Sequence, residues 1–402
     1  MAVLFWLSVA LILYTYLGYP ALLAVLARLR PSPRPLPQHT PSVTLLIAAY
    51  NEQTVIASKL ENSLALDYPP ERLEIIVAAD GSDDQTPAIV RNFASPSFPV
   101  TLVYQPERRG KMAAINRSIQ QAHGEVVVFS DANNTYAPDT LRHLVAPFAD
   151  PGVGAVSGAK TIQKGDGALG ESEGLYWKYE SFIKKQETRL GNCTGVSGEI
   201  LAIRRALYAP PPERIINDDF CLAMQTIRQG YRVVYAAPAR SFERVSASAK
   251  DEAIRRSRMI AGRYQAMLAP QLLPWRNPLV IWQVVSHKFL RPLVPFAMLG
   301  ALIGNLGVLL FPTRPTQPGL WALSAPFGWI LLALQAIFYA LAWLGGIIHR
   351  NDSLSRSKIG KLLYLPAFLV NSNLSAVSGL YRFLSGQQTA LWQRVARRED
   401  NA

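Results

Sequence analysis

The chain has 402 residues, of which 50% are hydrophobic and only 17% are charged. Soluble domains carry about 25% charged residues, so this composition excludes an intrinsically disordered protein and argues against an ordinary soluble globule. Two cysteines exclude a disulfide framework, and 41 Lys and Arg against 28 Asp and Glu leave a net charge of +13 that suits nucleic acid or anionic lipid.

The first predicted element is a transmembrane helix over residues 1–28. The run from Ala2 to Ala27 contains no charged residue and is long enough to cross a hydrocarbon core of about 30 Å. No basic segment precedes the run, which argues against a cleaved signal peptide. A Pro- and Arg-rich linker follows over residues 29–41. By the positive-inside rule, the arginines at this boundary predict that the next segment is cytoplasmic; they are Arg28, Arg30 and Arg34.

The middle of the chain, residues 42–269, is predicted to alternate strands and helices. Short apolar runs predict buried strands, and periodic apolar residues predict the helices between them. The predicted strands cover 43–49, 74–79, 100–104 and 124–130, and the predicted helices cover 56–66, 86–93 and 111–122. This alternation is typical of a parallel α/β sheet, in which ligands bind beyond the carboxyl ends of the strands. Polar residues stand at three of those ends, namely Tyr50-Asn51-Glu52, Asp80 and Asp131.

The strand end at Asp131 has two interpretations. Its carboxylate and the amide of Asn133 could together bind a hard cation such as Mg²⁺ or Mn²⁺. An Asx turn before a helix near Pro138 explains the same residues without a metal. The sequence alone leaves both interpretations open.

Two further polar groups carry a chemical and a structural interpretation. Arg108, Arg109 and Lys111 gather around a glycine, which suits a diphosphate, although a basic cluster is more often a solvated face. Asp218 and Asp219 enter a predicted helix, where two acids either stabilise the helix dipole or supply a general base beside a substrate hydroxyl. The residues by themselves do not decide between these interpretations.

The segment 195–199 precedes this acidic pair in the sequence and contains two glycines. Glycines let the backbone approach a ligand closely, and they also form ordinary turns. We therefore retain Gly198 and Glu199 as candidate acceptor-binding residues, with an ordinary turn as the equal alternative.

Membrane character returns after residue 269. Residues 270–292 are predicted to form an interfacial helix, because apolar residues there are mixed with Trp, His and Lys. Residues 293–384 are predicted to form C-terminal transmembrane or re-entrant helices, with 362–384 either a crossing or a hairpin. The tail over 385–402 is basic, so the charge excess lines the membrane flanks. We therefore expect membrane lipids, and no nucleic acid, as partners.

Six short motifs occur in a fixed order between residues 43 and 267. They are Tyr50-Asn51-Glu52, Asp80-Gly81-Ser82-Asp83-Asp84, Gly110-Lys111 with Asn116, Asp131-Ala132-Asn133, Asn217-Asp218-Asp219 and Arg255-Arg256-Ser257-Arg258. Together they resemble a family 2 glycosyltransferase of the membrane-embedded branch that contains hyaluronan, chitin and cellulose synthases. The resemblance implies an α/β GT-A catalytic domain, a Rossmann-like nucleotide-diphospho-sugar transferase fold, with N- and C-terminal transmembrane helices.

The resemblance also implies a role for each motif. The catalytic base is Asp219, with Asp218 as its neighbour. The divalent cation, Mg²⁺ or Mn²⁺, is held by Asp131 and Asn133. The nucleotide-sugar is bound by Tyr50, Glu52, Asp80, Lys111, Asn116, Arg255 and Arg258.

Two of the departures from the family pattern bear directly on function. Asn133 replaces the second acid of an Asp-x-Asp motif, and a neutral amide is a weaker metal ligand than a carboxylate. Met259 stands where polymerising members carry a tryptophan that lines the acceptor site, and a methionine has no flat ring. Tyr264 and Trp392 are the neighbouring aromatic residues that could replace this ring.

We therefore interpret the chain as an inverting hexosyl- or N-acetylhexosaminyltransferase of the plasma or inner membrane, with a cytoplasmic catalytic domain. It is expected to move a sugar from a UDP-sugar to a lipid-linked or glycan acceptor in polysaccharide or glycolipid biosynthesis. The alternatives are a processive polysaccharide synthase and a non-catalytic membrane scaffold or transporter component. The small number of predicted spans is compatible with an oligomer or a partner membrane protein. The residues identify neither the donor sugar nor the acceptor.

Overall fold

The computed structural model describes residues 1–31, 39–94, 100–163, 167–246, 248–311, 319–348 and 358–387. Most of the predicted linker over 29–41 and of the predicted basic tail over 385–402 lies outside these residues. The strands are β1 Val43–Ala49, β2 Leu73–Asp80, β3 Val100–Gln105, β4 Val126–Asp131, β5 Thr135–Tyr136, β6 Val153–Ile162, β7 Leu201–Arg204 and β8 Arg232–Glu243. The helices are α1 Ala2–Leu13, α2 Tyr19–Arg28, α3 Ile56–Leu64, α4 Thr86–Phe93, α5 Lys111–Ser118, α6 Thr140–Val145, α7 Gly167–Leu190, α8 Asp218–Arg228, α9 Ala249–Met267, α10 Pro278–Val284, α11 Val294–Leu310, α12 Phe327–Ile348 and α13 Lys358–Leu384.

The eight strands form one mixed sheet in the order β3-β2-β1-β4-β7-β6-β8-β5. The prediction of a parallel sheet is correct for β1 to β4, whose pairings with one another are all parallel. It is wrong for β7, which pairs antiparallel with both β4 and β6, and for β5, which pairs antiparallel with β8. The strands β6 and β8 pair in parallel. In the register, Ala48 lies opposite Asp131 and Ala49 opposite Ala79. The polar ends of β1, β2 and β4 therefore meet at one edge, as predicted.

Both faces of the sheet are covered. All seven residues of β1 are buried, as expected for a strand in the middle of an α/β sheet. One face packs on α3, α4 and α6, and the other packs on α5 and α8. Val280 and Val284 of α10 join the second face. The core of the sheet is thus continuous with a helix that sequence analysis assigned to the membrane region.

Three helical stretches among the described residues are long and apolar enough to cross a membrane, and they associate the chain with it. The first joins α1 to α2, the second runs from Pro278 to Leu310, and the third is α12. The structure does not separate an interfacial helix over 270–292. It has a short 3₁₀ turn at Pro270–Leu272, and from Pro278 the chain continues through a π-helical turn into α11.

The region 362–384 forms part of one helix, α13, and not a hairpin. Its last turns pack on α9 of the sheet domain, where Gly379 faces the Ser257 carbonyl oxygen. A Cβ atom at Gly379 would lie 2.8 Å from that oxygen. Arg256 Nη1 also donates to Ser372 Oγ at 2.6 Å. The hairpin alternative was wrong because the polar residues in mid-segment bond to α9 and to their own helix, and do not form a turn.

A group of buried charges joins the sheet domain to the membrane stretches; we call it the buried junction. It consists of Tyr19, Glu180, Glu187, His287 and Arg291. Glu187 Oε1 accepts from the Tyr19 hydroxyl at 2.5 Å and lies 2.8 Å from His287 Nδ1. His287 Nε2 lies 3.1 Å from Glu180 Oε2, and Arg291 pairs with the same carboxylate. Two carboxylates of α7 thereby hold residues of the first and second stretches.

Substitution of Glu187→Ala is expected to destabilise the protein, because it leaves Tyr19 and His287 buried without their carboxylate. Breaking a buried charged pair costs about 3–5 kcal/mol, so the thermal midpoint measured in detergent should fall by many degrees. Lys185→Ala is the control, since Lys185 is the exposed residue two positions before Glu187. Equal thermal midpoints for the two variants would show that the buried junction does not hold these elements together.

Candidate active site

A cavity of about 170 Å³ lies beyond the carboxyl end of β4. The start of α8, one face of α7 and one face of α9 form its walls, and residues 288–289 of the second membrane stretch complete them. Of the residues predicted for the site, the structure brings eight into the lining: Lys111, Asp131, Gly198, Glu199, Asp218, Asp219, Arg255 and Arg258.

Lys111 is the cation at the centre of the predicted chemistry. It begins α5, and its ammonium lies 2.7 Å from Asp131 Oδ1 and 3.9 Å from Asp218 Oδ2. Although burial alone would lower it, these two carboxylates together raise the pKa of Lys111 above its ordinary value. Lys111 therefore stays positively charged and joins the end of β4 to the start of α8.

Asp219 occupies the first turn of α8, beside Asp218. Its Oδ1 accepts the N–H of Phe220 at 2.7 Å. Burial, and then the neighbouring negative charge of Asp218, raise the pKa of the Asp219 carboxyl above its ordinary value. Gly198 packs against it, since a Cβ atom there would lie 3.3 Å from Asp219 Cβ. A buried carboxylate with a raised pKa that lines a cavity is suited to accept a proton from a bound ligand.

Asn217 fixes α8 against α9. Its Nδ2 donates to the Met259 carbonyl oxygen at 3.0 Å. Gly262 allows the close approach, because a Cβ atom there would lie 2.5 Å from the Asn217 side chain. This contact brings Arg258 to the same cavity as Asp218 and Asp219, where burial lowers the pKa of the Arg258 guanidinium from its very high ordinary value.

Glu199 lines the cavity but has structural partners. Its Oε2 accepts from Lys160 Nζ at 2.8 Å, and its carbonyl oxygen accepts from the Asn134 amide and the Tyr136 hydroxyl. Its Oε1 is buried without a hydrogen-bond partner among the described residues. Glu199 therefore presents one unused acceptor atom at a fixed position.

Two predicted nucleotide-binding residues hold a loop in this structure. Asp80 Oδ1 and Oδ2 accept the backbone N–H groups of Arg109 and Gly110 at 3.1 and 2.6 Å. The guanidinium of Arg108 lies 3.8 Å from the ring centroid of Tyr50. These contacts fix the chain immediately before Lys111. Neither Asp80 nor Tyr50 is among the residues that line the cavity.

Glu52 and Asn116 also lie outside the cavity lining. The backbone N–H of Glu52 donates to Thr86 Oγ1 at 2.8 Å, which ties β1 to the start of α4. The amide of Asn116 donates to the Pro211 carbonyl oxygen at 3.2 Å and accepts from the Tyr208 hydroxyl at 2.6 Å. The structure thus gives Asn116 a role in supporting the loop that precedes α8.

The two predicted metal ligands differ in their relation to the cavity. Asp131 lines the cavity, whereas Asn133 lies in the following turn and outside the lining. No group of three or more His, Cys, Asp or Glu side chains that could hold a metal occurs within the described ranges. Mg²⁺ commonly binds through one or two carboxylates together with substrate phosphates. The residues present therefore fit an ion shared with a phosphate ligand and do not form a metal cage of their own.

Several lining residues come from α7 and the second membrane stretch, which sequence analysis did not connect with the site. They are Tyr176, Trp177, Glu180, Lys184, Lys288 and Phe289. A lysine within an apolar stretch was the available signal for Lys288, since charges in such segments usually have a functional or structural partner. The ring expected from Tyr264 is not at the cavity, because its hydroxyl donates to the Pro292 carbonyl oxygen and its ring stacks on Phe383. Trp392 lies outside the described residues.

Part of the chain is similar in sequence to a known protein family. Residues 44–209 match the family model described as Glycosyl transferase family 2. A poly-beta-1,6-N-acetyl-D-glucosamine synthase of Staphylococcus aureus is 30% identical over 198 residues, which are 48% of this chain and 47% of the relative. The chain thus matches about half the length of that relative. A beta-monoglucosyldiacylglycerol synthase of Trichormus variabilis is 26% identical over 366 residues, 83% of this chain and 77% of the relative.

One solved structure resembles nearly the whole chain. The mannosyltransferase PcManGT from Pyrobaculum calidifontis, in complex with GDP-Man and Mn²⁺, superposes with a TM-score of 0.70 at 24% identity. The match covers 96% of this chain and 99% of that one. This likeness confirms the predicted GT-A fold.

Substitution of Asp218→Asn is expected to lower the pKa of Asp219, because it removes the negative charge that opposes ionisation of Asp219. Carbon-13 carboxyl signals of labelled aspartate, followed against pH, measure the change directly. Glu61→Gln is the control, since it removes an equal charge at an exposed position on α3. An unchanged midpoint in Asp218→Asn would mean that Asp218 does not act on Asp219.

Proposed function

Because residues 44–209 match the Glycosyl transferase family 2 model and the chain has a GT-A fold, we propose that the protein is an inverting transferase of the plasma or inner membrane. It moves a sugar from a UDP-sugar to a lipid-linked or glycan acceptor. The observation that carries this proposal is the Asp219 carboxylate, buried with a raised pKa in a cavity that also holds Lys111 and Arg258.

Asp219 is the proposed general base. It takes the proton of the acceptor hydroxyl while the hydroxyl oxygen attacks the anomeric carbon of the sugar. The bond from that carbon to the diphosphate breaks on the opposite face, and its electron pair leaves with the nucleoside diphosphate. One carboxylate is sufficient for this step, because no covalent intermediate has to form and break.

The leaving diphosphate is the proposed ligand of Lys111, Arg255 and Arg258. Fixed cations in a site with little water stabilise charge as it develops on a leaving group, which is usually the largest contribution to catalysis. A bound Mg²⁺ or Mn²⁺ would be held by Asp131 and would add positive charge at the diphosphate. Tyr50, Glu52 and Asp80 remain the proposed contacts of the nucleoside, at the edge of the sheet that leads to Lys111.

The catalytic domain is proposed to face the cytoplasm. Arg28 and Arg30 end the first membrane stretch on the side that leads into β1, in agreement with the positive-inside rule. Nucleotide-sugars are cytoplasmic, so this orientation places the donor and the cavity in the same compartment.

A processive polysaccharide synthase is the second candidate. It is supported by the name of the Staphylococcus aureus relative, which makes a polymer, whereas the name of the Trichormus relative describes a glycolipid. Met259 lines the cavity at the position of the tryptophan of polymerising members. Tyr176 and Trp177 of α7 bring aromatic rings to the same cavity. We favour transfer of one or a few sugars, because Met259 gives no aromatic ring at the position of that tryptophan.

Asp219→Asn should keep UDP binding and lower the turnover number by a factor of about 10² or more, the range typical of general bases. Asp131→Ala should instead weaken donor binding that depends on the metal. Titration calorimetry with UDP, with and without Mn²⁺, together with initial rates, separates the two effects. Asn133→Ala is the matched control, because Asn133 lies outside the cavity, and a small effect is expected. Equal loss of donor affinity in both aspartate variants would contradict this division of roles, and a wild-type protein with no turnover would favour the scaffold alternative.

Product length distinguishes the two candidates. With excess donor, the purified protein should yield products one or a few sugars longer than the acceptor, because Met259 offers no ring on which a growing glycan can stack. Mass spectrometry of the products measures this directly. Met259→Trp restores the ring of the polymerising members and should lengthen the products. A ladder of long chains from the wild-type protein would support the processive synthase instead.

A further inference from the structure

One wall of the cavity is rich in cations. Seven Lys and Arg and five Asp and Glu residues line the cavity. Lys111 pairs with Asp131, Lys160 with Glu199, and Arg255 with Glu252 of α9. Arg258 belongs to the proposed diphosphate site. Three further lining cations have no carboxylate within 4 Å in the described part of the chain, namely Lys184, Arg263 and Lys288. We call this group the cationic wall.

Lys184 lies deep in the cationic wall. Its side chain is buried, and its ammonium donates to Ser197 Oγ at 2.9 Å. The rings of Trp177 and Tyr235 lie 5.5 and 5.4 Å from it. A hydroxyl and two ring faces compensate a buried ammonium less well than an anion does. The wall therefore favours an anionic ligand at Lys184.

Trp177 adds a neutral donor to the same place. Its Nε1–H is buried and has no hydrogen-bond partner among the described residues. A buried donor without an acceptor costs free energy that a ligand oxygen can recover. Two ammonium groups, one guanidinium and one indole N–H thus line the cavity together and match the oxygens of a phosphate.

The cationic wall is distinct from the proposed diphosphate site. Asp219 experiences the charges of both Lys288 and Lys111, and Lys111 is held by Asp131 and Asp218. Lys184 and Lys288 come from α7 and from the second membrane stretch instead. In an inverting transfer the acceptor hydroxyl approaches the anomeric carbon from the side opposite to the leaving diphosphate. The acceptor therefore needs contacts other than those of the diphosphate, and this second group of cations can supply them.

The surroundings of the cationic wall favour a lipid. Lys288 belongs to a stretch long and apolar enough to cross a membrane. Leu268 and Trp275, in the segment between α9 and α10, are 73% and 62% exposed. Exposed apolar side chains beside a membrane helix are typical of contact with the lipid interface. The acyl chains of a lipid can therefore lie outside the cavity while the phosphate of its headgroup enters the cavity.

We propose that the cationic wall binds the phosphate of an anionic lipid acceptor, whose hydroxyl on the polar side of the phosphate reaches Asp219. This inference rests on the proposed function and names the class of its acceptor. The hydroxyl gives its proton to Asp219, its oxygen bonds to the anomeric carbon, and the bond to the nucleoside diphosphate breaks with its electron pair on the leaving group. The phosphate of the lipid is recognised and does not react.

Binding to two matched lipids tests the proposal. Phosphatidylglycerol and monoglucosyldiacylglycerol both carry headgroup hydroxyls on a diacylglycerol, but only the first carries a phosphate. In maltoside micelles, which contain no phosphate, native mass spectrometry without donor should show phosphatidylglycerol binding about tenfold tighter, as expected for lost charge-assisted hydrogen bonds. Glycerol 3-phosphate should compete poorly. Equal affinity for the two lipids, or strong competition by glycerol 3-phosphate, would overturn the proposal.

Variants separate the cationic wall from general surface charge. Lys184→Gln and Lys288→Gln should each weaken phosphatidylglycerol binding by about tenfold and leave UDP binding unchanged. Lys184→Arg keeps the positive charge and should retain phosphatidylglycerol binding. Lys185→Gln removes the same charge from the adjacent exposed residue of α7 and should bind as the wild type does. Equal loss in the Lys184 and Lys185 variants would overturn the proposal.

The same proteins distinguish this inference from the proposed function. Sugar transfer to phosphatidylglycerol at the wild-type rate in Lys184→Gln would refute the phosphate site and leave the transferase intact. Absence of nucleotide-sugar binding and of transfer to any acceptor would refute the transferase itself. Melting curves for each variant identify loss of folding, and Lys288→Gln then gives an independent test on another element.

Discussion

The buried carboxylate of Glu187 is the constraint on which the arrangement of the molecule depends. Its side chain is fully buried, and a buried charge is costly unless it is paired and hydrogen-bonded. Two partners of Glu187 come from distant segments, the Tyr19 hydroxyl and the His287 ring, and the third is the Thr194 N–H in the loop that follows α7. One charge thus fixes the first membrane stretch, the second membrane stretch and the chain that leads to Gly198 around α7.

Charge compensation also builds the cavity above the buried junction. Lys111 lies between Asp131 and Asp218, which come from β4 and α8. Asp80 fixes the backbone just before Lys111 by accepting two N–H groups. Because each of these groups requires a partner from another element, the elements can close only in one relative position. The apolar core supplies most of the driving force for folding, and the charges set the geometry of the site.

The fold could be predicted where local sequence pattern and structure coincide. The strand β1 and the helix α4 have the predicted bounds, because apolar runs bounded by turn residues determine them locally. The antiparallel strand β7 could not be predicted, since a single sequence does not specify the direction of pairing. The long helix α7 was missed because its buried charges, such as Glu180 and Glu187, look like surface residues until their distant partners are known.

The site was predicted where its residues lie in short local motifs, and missed where they lie on α7. Motifs on adjacent parallel strands and on α8 and α9 brought Asp131, Asp219 and Arg258 to one cavity, as the resemblance implied. Asn116 was assigned to a ligand, and the structure shows its amide bonded to a loop. Trp177 and Lys184 belong to α7, so the failure to predict that helix also concealed one wall of the cavity.

The contact between α13 and α9 has a mechanical consequence. The helix α12 packs along α13, and α13 in turn is fixed to α9 at Ser257 and Arg256. The residues on either side of this contact, Arg255 and Arg258, face the cavity. A membrane helix tilts when the hydrophobic thickness of the bilayer changes. A change in the lipid composition of the host membrane changes the bilayer thickness and would tilt α12 and α13. Through the contact of α13 with α9 this tilt would move Arg255 and Arg258, so bilayer thickness would affect the geometry of the site.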